Sequence, residues 1–374
     1  MSALRNNKRP RHRMGMFDIL AEVIAIIVIG VGVFTCHASQ PGDIVAEAYE
    51  MRISGQVDAA RDLLTKHLEE DPGDALAHYE LARLYCQTVP SNPRQPEMAI
   101  QKTQESIAKA LELMPDNVKY RRFGAQATFL KSYMGLMRNQ GDPAEHVAAL
   151  KTAYEQVLEV SPNHGPTIMD LVELYGGLPA DMGGDSVKAA GYAARLNGID
   201  PILAGKAHCF LMPEDFDRIG YWRTMLNEHP DDAAVLEELG KTCLREGHTD
   251  DGVEILYKAI AASGDNALYL VISNHCVLST MQNRGAAEKA IPVAREALSK
   301  FLATDPIAPL RGYALGVMAH LSHMQGDKEA VEKWNTQAKE VDAYYSKATG
   351  IPGADLFVRP DEELDLHTYL FQPF

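Results

Sequence analysis

Alternating apolar and polar stretches are scarce in these 374 residues, and cysteine occurs only five times. Without a two-residue period a chain cannot be built mainly from half-buried strands; Ala, Leu, Glu and Lys dominate instead, so the class expected is all-α. No Cys-x-x-Cys pair occurs, which removes the common redox and zinc arrangements. His-Glu-x-x-His and Gly-x-Ser-x-Gly are absent, and no Gly-Lys-Ser/Thr follows the glycine-rich string at 176–184. No motif points to catalysis, a cofactor or a metal.

Basic charge is also in short supply, with 36 Lys and Arg against 51 Asp and Glu. Residues 1–38 hold Arg5, Lys8, Arg9, Arg11 and Arg13 against Asp18 and Glu22, so residues 39–374 carry a net charge of −18. A surface of that sign repels nucleic acid and anionic lipid, and no nucleic-acid partner is expected.

The five cations precede a run from Val23 to Cys36 that contains no charge. Taken from Ile19 to Ala38 it is 20 residues, enough to span a membrane as a helix if Glu22 is tolerated. The same stretch has the length of a signal-peptide core, with Cys36 and Ala38 small enough for cleavage after Ala38. Either reading puts the basic end in the cytoplasm and the rest of the chain outside it.

What fills the remainder is a recurring unit, clearest in AAVLEELGKTCLREGHTDDGVEILYKAIAASG, Ala233–Gly264. Leu236, Leu239, Gly240 and Cys243 share one face of a helix; Leu256, Ala259 and Ile260 share a face of a second. Gly247 suits the left-handed end of the first helix, and Thr249 or Asp250 offers a cap to the next. Looser copies end at Pro72, Pro115, Pro162, Pro201, Pro230 and Pro306, with spacings of 43, 47, 39, 29 and 76 residues. The last spacing holds two units, because Gly264 stands where a proline would. A single such hairpin cannot bury its own apolar face, so neighbours must stack on it.

The unit resembles a tetratricopeptide repeat: Leu236-x2-Leu239-Gly240-x2-Cys243 and Gly252-x3-Leu256 stand at that family's signature spacing. Gly183-Gly184-Asp185-x-x-Lys188-Ala189 is similar to a turn that recurs in exported bacterial members. The resemblance implies a right-handed α-solenoid of about eight irregular repeats over residues 41–345. Residues 1–38 form a basic N-terminus with a signal or membrane helix, and residues 346–374 form a tail or cap.

Along the array, QTVPSNPRQPEM interrupts the second repeat as a loop, Gly176-Gly177 is expected to stop a helix after Tyr175, and a long connection is expected over Met281–Lys289. Lys119, Arg121 and Arg122 form a local basic patch that serves either docking or charge balance. Cys209, Cys243 and Cys276 are 34 and 33 residues apart and recur at one place on successive first helices, as a row of buried thiols.

The family's concave face is lined by first helices. Their phase selects Tyr79, Arg83, Arg122, Gln126, Met169, Glu173, Glu237, Lys241, His320 and His323 as groove residues. This set does not reproduce the Lys/Asn/Arg clamp by which some members hold a C-terminal carboxylate. As surface residues, Arg122 and Glu237 should tolerate alanine within about 0.5 kcal/mol.

The function expected is a non-enzymatic adaptor, anchored in or exported across a membrane through residues 19–38, that binds a segment of another envelope protein. A solute-binding or transport accessory subunit is the alternative. The topology can be checked by fusing, after Gln40, a reporter enzyme that is active only outside the cytoplasm. Activity is expected; a fusion that signals only from the cytoplasm would reverse the orientation.

Overall fold

The structure, a computed structural model, describes residues 44–89, 95–282 and 287–344. Sixteen α-helices and no strand occur among the described residues, arranged as eight consecutive hairpins. These are α1 (Ile44–Ile53) with α2 (Val57–Glu70), α3 (Ala75–Thr88) with α4 (Glu97–Leu113), α5 (Val118–Met137) with α6 (Pro143–Val160), and α7 (Gly165–Gly177) with α8 (Ser186–Leu196). They continue as α9 (Pro201–Leu211) with α10 (Arg218–Glu228), α11 (Ala233–Arg245) with α12 (Thr249–Ser263), α13 (Leu268–Gln282) with α14 (Ala287–Ala303), and α15 (Ala308–Met324) with α16 (Lys328–Val341).

The joints between hairpins follow from a short local code. Second helices end at Asp71, Met114, Ser161 and His229, whose N–H groups each bond the carbonyl four residues back. The next residue is proline in every case, which cannot continue the helix. Two residues further on, Asp74, Asn117, His164 and Asp232 cap the following helix by accepting its free N–H groups. Pro201 belongs to a different arrangement: Asp200 is the cap and the proline opens α9.

Within a hairpin, packing depends on small residues. A Cβ added to Gly240 would lie 2.7 Å from Leu256 Cγ, and one on Gly252 would meet Leu244 Cδ2 at 2.7 Å. The two helices of the sixth hairpin therefore approach closely through paired glycines, each covered by a leucine of the other helix. In the short fifth hairpin Gly205 plays this part against the buried Trp222. Arg218 there ties down the turn, its Nε donating to Cys209 O at 3.0 Å and its Nη2 to Met212 O at 2.9 Å.

Most apolar side chains join one continuous core running from α3 to α15. The first hairpin keeps its own cluster (Val45, Ala48, Val57, Ala60, Leu64) shared with one face of α3. Tyr344, just beyond α16, packs on that same first cluster. Its hydroxyl donates to Asp58 Oδ1 at 2.5 Å and accepts from Arg61 Nη1 at 3.3 Å. The array thus bends round until its last hairpin touches its first.

Several local expectations need correcting. Thr249 and Asp250 do not cap α12; His248 occupies the cap position without a side-chain bond. Helix α7 runs through Gly176 and Gly177 and stops at the extended Leu178; Gly176 packs against Phe210 and Leu211 instead of turning the chain. The connection expected at Met281–Lys289 is shorter, since α13 reaches Gln282 and α14 begins at Ala287. Glu97 and Met98 likewise belong to α4 and not to the inserted loop. Segments 1–38 and 346–374 lie outside the described residues.

Two glycines test this packing with opposite signs. Gly240→Leu should cost about 1–3 kcal/mol by overpacking and lower the unfolding midpoint of the whole array. Gly191, on α8 with nothing within 4 Å of an added Cβ, should give a gain of about 0.5–1 kcal/mol on change to alanine. Thermal unfolding followed by circular dichroism reads both; equal responses would mean that the close approach at Gly240 is not what holds the hairpin.

Candidate functional site

The first helices α1, α3, α5, α7, α9 and α11 carry a succession of buried charged and amide side chains. Arg52, on α1, is fully buried. Its Nε donates to Glu80 Oε1 at 2.5 Å and its Nη1 to Gln87 Oε1 at 3.1 Å. Arg83 donates to the other oxygen of Glu80 at 3.2 Å, so one carboxylate of α3 bridges two guanidinium groups. Aromatic faces complete the surroundings. Tyr49 lies 5.5 and 5.9 Å from the two guanidinium carbons, and Tyr79 lies 5.6 Å from that of Arg83 and stacks on Tyr120 at 4.7 Å.

Between α5 and α7, Arg122 donates to the Asp170 carboxylate and, at 3.4 Å, to Thr167 Oγ1. Between α9 and α11, Lys206 stands 4.0 Å from Glu238 Oε1, and Lys241 stands 3.9 Å from the same oxygen while donating to Glu237. Further along, Tyr313 of α15 donates to Asn274 of α13 at 2.8 Å.

Burial opposes these charges. It pushes the Asp170 carboxyl above its ordinary range by more than Arg122 pulls it down, and it lowers Arg52 despite Glu80. Ion pairs of this kind seldom return their desolvation cost, so the ladder is a poor device for stability. It also has hydrogen-bonding capacity left over: Arg52 Nη2, Gln87 Nε2 and Gln126 Nε2 are buried with no acceptor.

Other conspicuous sequence features are absorbed by the fold. Lys151 donates to Gly183 O and lies 4.3 Å from the Tyr175 ring, with Lys188 at 4.9 Å; Tyr175 donates to Glu155 at 2.7 Å. Gly184 is pressed so close to Leu178 O that a Cβ would lie 1.7 Å away. The glycine-rich string is therefore a tight turn over Tyr175, with Asp185 capping α8. In the basic patch, Arg121 donates to Pro115 O at 2.7 Å and Lys119 lies over Tyr79. Cys86, Cys209, Cys243 and Cys276 are buried free thiols, and burial raises Cys209 and Cys276 to about 12. Among the described residues no three His, Cys, Asp or Glu side chains converge as a metal set.

Eight consecutive helical hairpins, most of them stacked on one apolar core, decide the architecture. Among the described residues this is an all-α array of stacked helical hairpins, the architecture that the tetratricopeptide resemblance implies. No protein-family profile matches the chain, and no curated protein matches its sequence. Among solved structures, a tetratricopeptide repeat protein from Parabacteroides merdae is similar at 15% identity and TM-score 0.41, covering 79% of this chain and 97% of that one. Yeast Tom70 is similar at 14% identity and TM-score 0.47, covering 87% of this chain and 65% of that one. PilW, a type IV pilus biogenesis factor, is similar at 15% identity and TM-score 0.28, covering 84% and 98%. Likeness at this level concerns helical-hairpin architecture and says nothing about partners.

Of the residues selected from sequence, the array brings Tyr79 and Arg83 together around Glu80, and Glu237 with Lys241 on α11. Arg122 is joined to Asp170, and Gln126 is buried one turn further along α5. Met169 belongs to the apolar core, and Glu173 is buried on α7. His320 is half-buried, its pKa lowered by burial and by His323, which is exposed. Missed were Arg52, Glu80, Gln87, Asp170, Lys206 and Glu238. Their available signal is a charge or amide set inside an apolar run, as Asp170 is in Ile168–Val172.

The expectation that Arg122→Ala is nearly neutral does not survive this geometry, because Arg122 is only 2% exposed and its loss strands a buried carboxylate. The cost should be about 3–5 kcal/mol. The double change Arg122→Met with Asp170→Leu should recover most of it, as both charges then leave together. Denaturant unfolding measures the series; an unchanged midpoint for Arg122→Ala would mean that the pair is not formed.

Proposed function

We propose that this chain is a non-catalytic scaffold that binds an extended segment of another protein along the polar face of its first helices. The observation that carries the reading is the surplus hydrogen-bonding capacity of Arg52, Gln87 and Gln126, buried on successive first helices. A fold selected for stability alone would place apolar residues there. A partner segment supplies backbone carbonyl and carboxylate oxygens at regular intervals, which are the acceptors those N–H groups lack.

A solute-binding subunit would instead call for an enclosed apolar pocket. The polar face of the first helices is lined by charges. The scaffold reading is the better supported. We place the partner in the cell envelope, with the repeats on the extracytoplasmic side and residues 19–38 acting as membrane anchor or cleaved signal. That placement rests on the basic residues and uncharged run of the N-terminus. Among the described residues no helix is long and apolar enough to cross a membrane, and residues 19–38 lie outside them.

The scaffold reading is tested with Gln126→Leu in the full-length chain. Crosslinking in native membranes identifies the partner, and affinity is then measured with purified components. Losing an unsatisfied buried donor should leave stability unchanged or raise it by about 1 kcal/mol, while affinity falls about tenfold. Undiminished affinity would remove the polar face as the binding surface.

A further inference from the structure

We infer that the buried polar pairs along the first helices select which hairpins stack as neighbours, and that they divide the array into four two-hairpin units; this holds whether or not the polar face binds a partner. The pairs fall at alternate joints. Arg52 of the first hairpin reaches Glu80 of the second, Arg122 of the third reaches Asp170 of the fourth, and Lys206 of the fifth stands 4.0 Å from Glu238 of the sixth. At the joint of the seventh with the eighth, Tyr313 donates to Asn274 at 2.8 Å. In every unit the group on the second hairpin occupies one place: Glu80, Asp170, Glu238 and Tyr313 are the sixth residues of α3, α7, α11 and α15.

The intervening joints are of another kind. Tyr79 of the second hairpin stacks on Tyr120 of the third, with ring centroids 4.7 Å apart, and meets Phe123 edge-on at 5.5 Å. Between the fourth and fifth, Gly165 and Gly176 lie against Leu203 and Leu211. Between the sixth and seventh, Tyr257 meets Tyr269 at 5.9 Å. The polar contacts at these joints, Arg138 with Glu97 and Thr249 with His275, are not fully buried. Lys206 also acts on Asp170 across the joint of the fourth with the fifth, but more weakly than Arg122 and His164 do.

Similar hairpins in series can stack wrongly by leaving one out of the array. The distribution of acids opposes that error. Arg52, Arg122 and Lys206 lie on the first helices of the first, third and fifth hairpins, and each finds its carboxylate on the hairpin that follows. The first helices one hairpin further on, α5, α9 and α13, contain no Asp or Glu. With the second hairpin left out, Arg52 would be pressed on the ring-bearing α5; with the fourth or sixth left out, Arg122 or Lys206 would meet α9 or α13. In the opposite direction, leaving out the fifth would set Glu238 against α7, which has no Lys or Arg. A buried charge without its partner costs far more than an imperfect apolar contact. Pairs that return little to stability still separate the correct stack from its nearest competitors.

The test is the fidelity of refolding of the full-length chain in detergent, with Cys36 changed to Ser so that the remaining thiols, all buried, report a hairpin left out of the stack. Cys209 and Cys243 lie on α9 and α11, the first helices of the third unit. After dilution from urea, a brief pulse of maleimide followed by peptide mass spectrometry should label few molecules of the parent. Lys206→Met with Glu238→Leu removes both charges of that unit, while Lys241 keeps Glu237. This variant should unfold at an unchanged or higher urea midpoint, yet after refolding its labelling at Cys209 or Cys243 should rise about fivefold or more. Asn274→Leu with Tyr313→Phe carries the test to the fourth unit, where Cys276 on α13 should respond in the same way. Parental protection after refolding of either variant overturns the inference. Labelling that rises only together with a fallen midpoint overturns it as well, because the pairs would then be holding the stack instead of selecting it.

Discussion

Everything in this molecule depends on how closely two helices of one hairpin can approach. Where Gly240 faces Leu256 and Gly252 faces Leu244, the absence of two side chains lets two leucines fill the space between backbones. A hairpin packed that tightly still leaves apolar residues on its flanks, and only the next hairpin can cover them. Length, helix order and the continuous core from α3 to α15 follow from repeating the hairpin, whatever small residues allow its approach. The fifth hairpin shows its tolerance: with helices of only eleven residues it substitutes Trp222 against Gly205 and lets Arg218 brace the turn.

The same construction creates a second surface whose energetics run the other way. Apolar stacking occupies one side of the first helices, and the side left over carries Arg52, Glu80, Arg83, Arg122, Asp170, Lys206, Glu238 and Lys241. Packing of neighbouring first helices on one another takes those charges out of water. The desolvation cost appears in the raised Asp170 and lowered Arg52, and in amide N–H groups without acceptors. A fold that is economical in its hairpins and uneconomical along one face concentrates its unused interactions where another chain can meet them.

Closure itself is a weaker decision than stacking. The hairpins are joined by apolar interfaces, whereas the ends meet through a tyrosine hydroxyl, an exposed ion pair and a glycine pressed on a carbonyl.

The amino-acid sequence by itself determined most of the local events: which segments are helical, about how many hairpins they form, and where those followed by a proline stop. Those outcomes rest on interactions between residues close in the chain. A proline after the last turn, a capping side chain two residues later and a three-four spacing of small and large apolar residues are all visible in one dimension. The buried row of Cys209, Cys243 and Cys276 was legible for the same reason. Caps could still be misassigned, as at His248, because several neighbours offered equivalent oxygens. The tertiary structure alone decided which groove residues became buried partners and which stayed near solvent. Arg122 reads as a surface cation until Asp170, 48 residues away, is brought against it, and Tyr344 reads as the end of a pattern until it reaches Asp58, 286 residues earlier. Helix phase sets the side on which a residue lies, but the small rotation from each hairpin to the next, summed over eight of them, sets what that side meets. That sum depends on every interface at once, and no short stretch of sequence contains it.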